Sequence, residues 1–255
     1  MKKYNILNTH VHNIDGIAKV TGRATYTFDV KLPNMLYGKI LRSPHPHAKI
    51  ISIDYSRAMA LSGVKGVVTG KDTLGIKQGI WRRYKDLCDE QILPLEKVRY
   101  IGEPVAAVAA VTEEIAEKAL DLIDVEYEVL PAVFEPLDAI KKEAPELHEG
   151  FERNINVTRH IEWGDVEAGF EEAEYIREDW FKCGGQAHMC METRAAVSSY
   201  TPEGKLTVYH SNQSPYYMQG LLSGVLGIRE GDIRVISHYV GGGFGGKFEL
   251  DGALF

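Results

Sequence analysis

Five glycines and one phenylalanine fill the positions from Gly241 to Gly246, directly before Lys247. Glycine leaves the backbone free to adopt positive φ angles, and its N–H groups can approach a ligand without shielding by a side chain. This run therefore favours the binding of an anionic or oxo-bearing group. The structural alternative is a glycine-rich turn at a packed corner.

The same run partly matches two phosphate-binding patterns. Read as Gly241-x-x-x-x-Gly246-Lys247 it follows a P-loop, but Phe248 stands where a Ser or Thr hydroxyl should bind magnesium. Read as Gly241-x-Gly243-x-x-Gly246 it follows a dinucleotide fingerprint, yet too few residues follow Lys247 for the required helix and second strand. An ATP-binding P-loop protein remains an alternative, and it predicts magnesium-dependent nucleotide binding.

The remaining chemistry-bearing residues favour structural roles. His45 and His47 are flanked by prolines and have no further spaced ligand, so we interpret them as turn or packing residues. His188 and Glu192 would share one face of a helix, but we do not expect them to bind a metal directly. Cys190 lies between two methionines, which indicates inert packing rather than nucleophilic chemistry.

Composition and charge exclude several classes of protein. The chain has 255 residues, of which 44% are hydrophobic and 25% charged, as is typical of a globular protein. Its net charge of -7 disfavours nucleic acid as a partner. No apolar run approaches the roughly 20 residues that span a bilayer, and the start Met1-Lys2-Lys3-Tyr4 lacks a secretory signal, so we expect no membrane span and a cytoplasmic location.

Cys88, Cys183 and Cys190 are odd in number and irregularly spaced, which argues against a disulfide framework. An iron-sulfur cluster held by this chain alone would need about four suitably spaced ligands. We expect another chain to carry any electrons onward.

The first part of the chain predicts an α+β domain. Apolar and alternating patterns indicate strands at residues 37–41, 48–53, 100–111 and 124–131, and the second half of 100–111 is apolar throughout. Between the last two, Thr112 is a helix cap, and apolar residues from 116 to 123 recur at helical spacing. This order is a strand-helix-strand unit. Residues 138–153 are charged and aperiodic and form the best linker candidate, which leaves domains at 1–137 and 154–255.

Beyond the linker the pattern again mixes strands and helices. We predict an exposed strand at 175–182, a solvated helix in the acidic run 167–174, and two strands at 195–200 and 205–210 joined by a turn. A helix then begins at Pro215 with Ser214 as cap and ends at Gly227. A last strand at 234–240 leads into the glycines.

Six segments, taken in order, extend over nearly the whole chain. They are Asp15-Gly16-x-x-Lys19-Val20-Thr21-Gly22-x-Ala24, Arg42–Ala48, Val98–Ala106, Gly185–Thr193, His210–Pro215 and Val240–Lys247. Together they resemble the large, molybdopterin-binding subunit of xanthine dehydrogenase/aldehyde oxidase-type molybdenum hydroxylases. The fold implied by the resemblance is α+β: an N-terminal a/b hammerhead-like domain followed by the start of a molybdopterin-binding α+β domain.

The resemblance also implies roles for individual residues. Gln213 would hydrogen-bond an oxygen ligand of the metal, and Phe244 with its neighbouring glycines would line the metal site and offer backbone amides. Gln213 and Phe244 would therefore lie beside the metal without coordinating it. An amide group can stabilise an oxo ligand without adding a formal charge beside the metal. The cofactor-binding residues implied are Gln213, Gly242, Gly243, Phe244, Gly245 and Gly246.

The implied activity is the oxidation of an electron-poor carbon in an aromatic heterocycle, an aldehyde or a related small molecule. The implied partners are the remaining molybdopterin-binding domains, an iron-sulfur subunit and an FAD subunit. The family's catalytic glutamate lies far toward the C-terminus of its large subunit, so we assign no catalytic residue here and expect this chain alone to be inactive. A non-catalytic scaffold or assembly fragment is the alternative.

One departure from the family concerns the substrate. Purine-oxidising members place a glutamate directly after the loop lysine, whereas this chain has Phe248 there and Glu249 one residue later. The sequence therefore does not support xanthine as the substrate.

Overall fold

The fold is described from a computed structural model, in which residues 11–79 and 88–248 are described. The start Met1-Lys2-Lys3-Tyr4 and Glu249 lie outside these ranges. The strands are β1 Tyr37–Arg42, β2 Ala48–Asp54, β3 Val64–Thr69, β4 Lys77–Gln78, β5 Glu90–Gln91, β6 Lys97–Val98, β7 Pro104–Ala110, β8 Asp124–Val129, β9 Ala196–Tyr200, β10 Leu206–His210 and β11 Ile233–Ile236. The α-helices are α1 Gly16–Val20, α2 Ser56–Ala60, α3 Glu113–Leu120, α4 Pro136–Ala139, α5 Val166–Glu171 and α6 Pro215–Leu226.

The first half of the chain is built on two three-stranded antiparallel sheets, with the orders β1-β7-β3 and β6-β2-β8. The predicted strand-helix-strand order is confirmed as β7, α3 and β8. The two strands belong to different sheets, so α3 connects the sheets instead of linking two neighbours within one.

Strand β7 has two buried faces, which explains its uninterrupted apolar sequence. Ala106 and Val108 pack with Ala119 of α3 on one face. Because side chains alternate along a strand, Val105 points the other way and packs with Ala48 of β2. The predicted burial of this strand is therefore confirmed.

Helix α3 begins as its sequence predicts. The Thr112 hydroxyl accepts a hydrogen bond from the Ile115 N–H at 3.3 Å, and Glu113 and Glu114 lie in the first turn, where the helix dipole favours acidic groups. The helix buries Ala116 and Ala119 completely.

Residues 138–153 hydrogen-bond to the first half of the molecule. The Arg99 Nε donates to the Leu147 carbonyl at 2.9 Å, and the Lys97 Nζ donates to the Glu146 carbonyl at 3.2 Å. The proposed linker therefore lies along the edge of the hammerhead-like half. The domain limits at 137 and 154 remain predictions.

The second half contains one sheet, ordered β11-β10-β9, with α6 packed against it. Strand β10 pairs antiparallel with β9 and parallel with β11. A parallel pair requires a crossover connection, which α6 supplies. Val208 of β10 and Met218 and Leu222 of α6 form the centre of this core. Burial of each such side chain contributes about 1.5–3 kcal/mol.

The ends of α6 are partly as predicted. Pro215 occupies the first helical position, and Gly227 ends the helix in a left-handed conformation at φ 67°, as expected. The prediction of Ser214 as a side-chain cap is wrong. Its hydroxyl makes no capping bond, and its backbone N–H donates instead to Asn212 Oδ1 at 2.5 Å.

Two other expectations require correction, and a third is confirmed with an earlier end. The predicted strand at 175–182 has no regular structure, because no neighbouring backbone in the described residues pairs with it. The last strand is Ile233–Ile236, since the chain leaves the sheet before the glycines. The acidic helix is confirmed but ends at Glu171.

The two halves contact each other along several segments. The Tyr217 hydroxyl of α6 donates to the Gly79 carbonyl at 3.3 Å, and Val225 packs with Ile92 and Leu93. Within 11–79 and 88–248, none of the helices has the length and apolar character needed to cross a bilayer.

Candidate functional site

The glycine loop, defined here as Gly241–Lys247, is a sharply curved segment. Gly242, Phe244 and Gly245 all have positive φ angles, of 93°, 51° and 90°. For Phe244 this left-handed conformation costs roughly 1–2 kcal/mol. Phe244 is nevertheless 75% exposed. Contacts with the described residues therefore do not offset this conformational cost.

Gln213 holds the far end of the glycine loop. Its side-chain Oε1 accepts hydrogen bonds from the N–H groups of Gly245 and Lys247, both at 3.2 Å. The Gln213 backbone N–H donates to the Lys247 carbonyl at 3.0 Å. An amide nitrogen cannot accept these bonds, so the two loop N–H groups fix which end of the carboxamide faces them. The Nε2 donors are therefore left for another partner.

Three loop glycines are required by close contacts rather than by backbone conformation, and a Cβ on the first of them, Gly241, would lie 2.5 Å from Glu192 Cβ. A Cβ on Gly243 would lie 2.4 Å from Gln213 Oε1. A Cβ on Gly246 would lie 2.7 Å from the His188 ring. None of the three has a positive φ, so the absence of a side chain is what lets Glu192, Gln213 and His188 approach the loop.

Glu192 holds both ends of the loop together. Its Oε2 accepts from the Gly241 N–H at 2.7 Å and from the Lys247 Nζ at 2.7 Å. The Glu192 N–H donates in turn to the Gly241 carbonyl at 3.2 Å. The Lys247 side chain is only 2% exposed and that of Glu192 10%. The pair is therefore a buried ion pair.

His188 and Glu192 do not share a helical face, because the segment that contains them forms no helix. His188 lies against Gly246 and Glu192 against Gly241. Among the described residues there is no group of three His, Cys, Asp or Glu side chains that could hold a metal.

Three successive loop amides point to a binding function. The N–H groups of Gly242, Gly243 and Phe244 have no hydrogen-bond acceptor among the described residues. Successive N–H groups in a turn with alternating φ form a concavity that suits an anion or an oxo group. Gly245, which the sequence also suggested as an amide donor to the ligand, instead donates to Gln213.

The P-loop alternative requires a lysine that is free to contact phosphates, and Lys247 is not free to do so. A P-loop lysine reaches the β- and γ-phosphates. The Lys247 ammonium instead lies buried against Glu192, and Phe248 stacks on Tyr217 with ring centroids 5.0 Å apart. The geometry does not support a nucleotide site.

The other candidates have structural contacts. His47 is buried, with its Nδ1 2.6 Å from the Pro131 carbonyl oxygen, and the His45 ring meets the Tyr127 ring edge-on at 5.0 Å. The Cys190 thiol lies 3.6 Å from the Gly243 carbonyl oxygen as a weak donor.

Two family models match the chain. Residues 21–131 match the aldehyde oxidase and xanthine dehydrogenase a/b hammerhead domain, and residues 147–253 match the molybdopterin cofactor-binding domain. The chain belongs to the aldehyde oxidase and xanthine dehydrogenase family. The predicted α+β fold, a hammerhead domain followed by a molybdopterin-binding domain, is thereby confirmed.

Named members of the family align over almost all of the chain. The nicotinate dehydrogenase large molybdopterin subunit of Eubacterium barkeri is 37% identical over 98% of this chain and 57% of that relative. A probable xanthine dehydrogenase component of Bacillus subtilis is 41% identical over 93% of this chain and 31% of that relative. The chain thus spans between about one third and just over half of these relatives.

Solved structures of the family have the same fold. Quinoline 2-oxidoreductase from Pseudomonas putida 86 superposes with a TM-score of 0.83 at 30% identity, over 98% of this chain and 32% of that one. Reconstituted CO dehydrogenase from Oligotropha carboxidovorans gives 0.85 at 32% identity, over 95% and 32%.

Sequence reasoning missed the contribution of Glu192. The residue lies in a motif that identifies the family, but its partner Lys247 is 55 positions away in the chain. The residues directly beside Glu192 and directly beside Lys247 are uncharged. This was the available signal that each needs a charged partner elsewhere in the chain.

Proposed function

We propose that this chain helps to bind a molybdenum-molybdopterin cofactor and forms one wall of its site in an oxidoreductase complex. The observation that carries the proposal is the orientation of Gln213. Its Oε1 is occupied by the loop amides of Gly245 and Lys247, so its NH₂ group is left to donate to a bound ligand. An amide donor suits an oxo ligand of a metal, because it stabilises the oxygen without adding a charge.

The described residues fit such a cofactor. One buried polar atom next to Gln213, Asn212 Nδ2, has no hydrogen-bond partner among the described residues. It can donate a hydrogen bond, and a pterin ring offers acceptors. Gly243 adds a cradle that a Cβ would fill, since that carbon would lie 2.4 Å from Gln213 Oε1.

In the proposed site, the glycine loop forms a binding surface and the Gln213 amide orients an oxygen ligand. Gln213 and Phe244 would lie beside the metal without coordinating it, and the loop would bind the cofactor through the N–H groups of Gly242, Gly243 and Phe244. When bound, the cofactor supplies the metal centre that accepts electrons from the substrate. The chain's own residues orient the oxygen ligand and cover one side of the centre. The proposed cofactor-binding residues are Gln213, Gly242, Gly243 and Phe244, with Gly245 and Gly246 lining the site through their shape. The N–H groups of Gly245 and Gly246 already donate to Gln213 Oε1 and to the Gly243 carbonyl.

The proposed substrate is a heterocycle, an aldehyde or a related small molecule with an electron-poor carbon. The names of nicotinate dehydrogenase and quinoline 2-oxidoreductase support an aromatic heterocycle. Xanthine fits less well, because Phe248 stacks on Tyr217 where purine-oxidising relatives would place a glutamate. We assign no catalytic residue within the described ranges.

The relatives are large subunits of assemblies, and we propose equivalent partners here. These are the remaining molybdopterin-binding domains, an iron-sulfur subunit and an FAD subunit. We also propose a cytoplasmic location, which suits three cysteines that are all free thiols.

The test is metal analysis combined with pterin fluorescence on the complex purified from its native host. We expect molybdenum and pterin in equal amounts, with both retained on the complex. Absence of both from an intact complex would overturn the proposal and favour a non-catalytic scaffold. Pterin without molybdenum would contradict the proposed metal site but not the proposed pterin-binding surface.

A further inference from the structure

We propose that Glu192 is a positioning residue: it sets the shape of the glycine loop and, through Lys247, the orientation of the Gln213 amide. The inference rests on the proposed function, in which Gln213 and the loop face the cofactor. It goes beyond that function by naming the residue on which their geometry depends.

The first step is the closure of the loop at one oxygen atom. Glu192 Oε2 receives the N–H of Gly241, the first loop residue, and the ammonium group of Lys247, the last, both at 2.7 Å. The return bond from the Glu192 N–H to the Gly241 carbonyl fixes the carboxylate against the loop entry. The two ends of a seven-residue segment are thus held at a single carboxylate.

The second step leads from Lys247 to Gln213. The Lys247 N–H donates to Gln213 Oε1 at 3.2 Å, and its carbonyl accepts from the Gln213 N–H at 3.0 Å. A lysine held by its ammonium group at one end and by its backbone at the other cannot shift without moving Gln213. Glu192 therefore acts on Gln213 without touching it.

The third step concerns the charges. A buried ion pair seldom stabilises a fold more than an apolar pair of similar volume would, whereas loss of one partner leaves an uncompensated charge. The pair therefore has a weak case as a source of stability. The pair instead constrains geometry, because the Glu192 carboxylate and the Lys247 ammonium group can meet only when the loop has this shape.

The role of Glu192 can be tested by comparing a set of variants in the intact complex. Glu192→Gln keeps an acceptor for the Gly241 N–H but removes the charge, and Lys247→Met removes the ammonium group at similar volume. The double variant buries no uncompensated charge. The matched control is the exposed pair Lys49 and Glu128, whose side chains are 54% and 53% exposed and 3.1 Å apart.

The experiment measures three quantities: thermal stability, hydrogen exchange in peptides covering the glycine loop, and turnover per bound molybdenum. We expect both single variants to lose stability and to exchange loop amides at least tenfold faster, with turnover per molybdenum reduced at least tenfold. The double variant should regain stability but not amide protection or turnover. Lys49→Met and Glu128→Gln should leave all three unchanged.

The outcomes separate the two proposals. Recovery of turnover together with stability in the double variant would reduce Glu192 to a structural role and overturn the inference. Unchanged loop exchange in the single variants would also overturn it. If loop exchange in protein without cofactor depends on Glu192, yet molybdenum content and turnover per molybdenum do not respond, Glu192 stands as the loop anchor and the proposed cofactor role of the loop fails.

Discussion

Gln213 and Lys247 are joined by two hydrogen bonds of opposite direction. The Gln213 N–H donates to the Lys247 carbonyl at 3.0 Å, and the Lys247 N–H donates to Gln213 Oε1 at 3.2 Å. A residue at the start of α6 is thereby fixed to the end of a loop that follows β11. This link orients the Gln213 amide, and substitutions of the Gln213 side chain test it.

Replacing Gln213 with Glu removes the NH₂ donor but keeps an oxygen for the Gly245 and Lys247 N–H groups. We expect turnover per molybdenum to fall on the order of 100-fold, as when a single preorganised donor is removed from a site that stabilises a charged oxygen. Hydrogen exchange of the loop should stay slow. Steady-state kinetics normalised to molybdenum content provides the measurement.

Gln213→Met is the companion variant, because it removes the donor and the acceptor together. It should reduce turnover as well and also accelerate exchange of the loop amides. Equal turnover in the wild-type and Gln213→Glu complexes would show that the NH₂ group has no role at the metal.

Gly243→Ala tests the close approach of the loop to Gln213. The added Cβ would lie 2.4 Å from Gln213 Oε1, well inside any tolerable contact, so Gln213 or the loop must move. We expect loss of bound molybdenum and pterin of at least tenfold. The control is Gly231→Ala, whose Cβ would meet no atom within 4 Å. Equal cofactor content in both variants would show that cofactor binding does not depend on the close approach of Gly243 to Gln213.

The sequence predicts the glycine loop and Gln213 because each carries a local signal. A dense glycine run is visible by itself, and the residues around Gln213 belong to a recognisable motif. Glu192 has no such signal for its role. Its bonds to Gly241 and Lys247 depend on how distant segments meet, and spacing along the chain does not encode that meeting.

The same limit applies to the fold. Strand β7 could be predicted as a doubly buried strand because both of its faces are apolar. Its assignment to a different sheet from β8 could not, since strand pairing is decided by contacts between distant segments. The exposed stretch 175–182 alternates like a strand, but alternation without a neighbouring backbone does not produce one.

The burial of Lys247 predicts that the protein does not bind ATP with magnesium. Its ammonium group is held by Glu192 and is 2% exposed, so it cannot contact phosphates without breaking a buried ion pair. Isothermal titration of the protein with ATP and magnesium should show no binding. Saturable binding that disappears in Lys247→Ala would restore the P-loop alternative.

Glu103 gives the protein a predictable pH dependence of stability. Burial raises the pKa of its carboxyl group above the usual value, against the lowering effect of the Arg99 N–H, which donates to it at 2.5 Å. A raised pKa means that the folded state holds this proton more tightly than the unfolded state does. The contribution to the free energy of unfolding therefore falls as pH rises above the ordinary glutamate pKa.

Glu103→Gln should abolish that contribution while keeping an acceptor for the Arg99 N–H. We expect the stability difference between wild type and variant to shift in favour of the variant as pH rises from about 4.5, near the unfolded glutamate pKa. Denaturant unfolding at several pH values measures this stability difference. The control is Glu171→Gln, a substitution of an exposed glutamate. A difference that stays constant with pH would refute the assignment.

Helix α6 follows Gln213 in the chain, and two glycines, Gly224 inside the helix and Gly227 directly after it, should respond in opposite directions to alanine. Gly224 is exposed within the helix, and its added Cβ would meet no atom within 4 Å. Gly224→Ala should therefore raise the free energy of unfolding by roughly 0.5–1 kcal/mol, because alanine loses less backbone entropy on folding.

Gly227 also has open space, but it ends the helix at φ 67°, where an L side chain is strained. Gly227→Ala should lower the free energy of unfolding by roughly 1 kcal/mol. Denaturant titrations of the two variants isolate backbone conformation, since neither substitution meets a neighbouring atom. A stabilising Gly227→Ala would show that α6 does not end in the left-handed conformation at this residue.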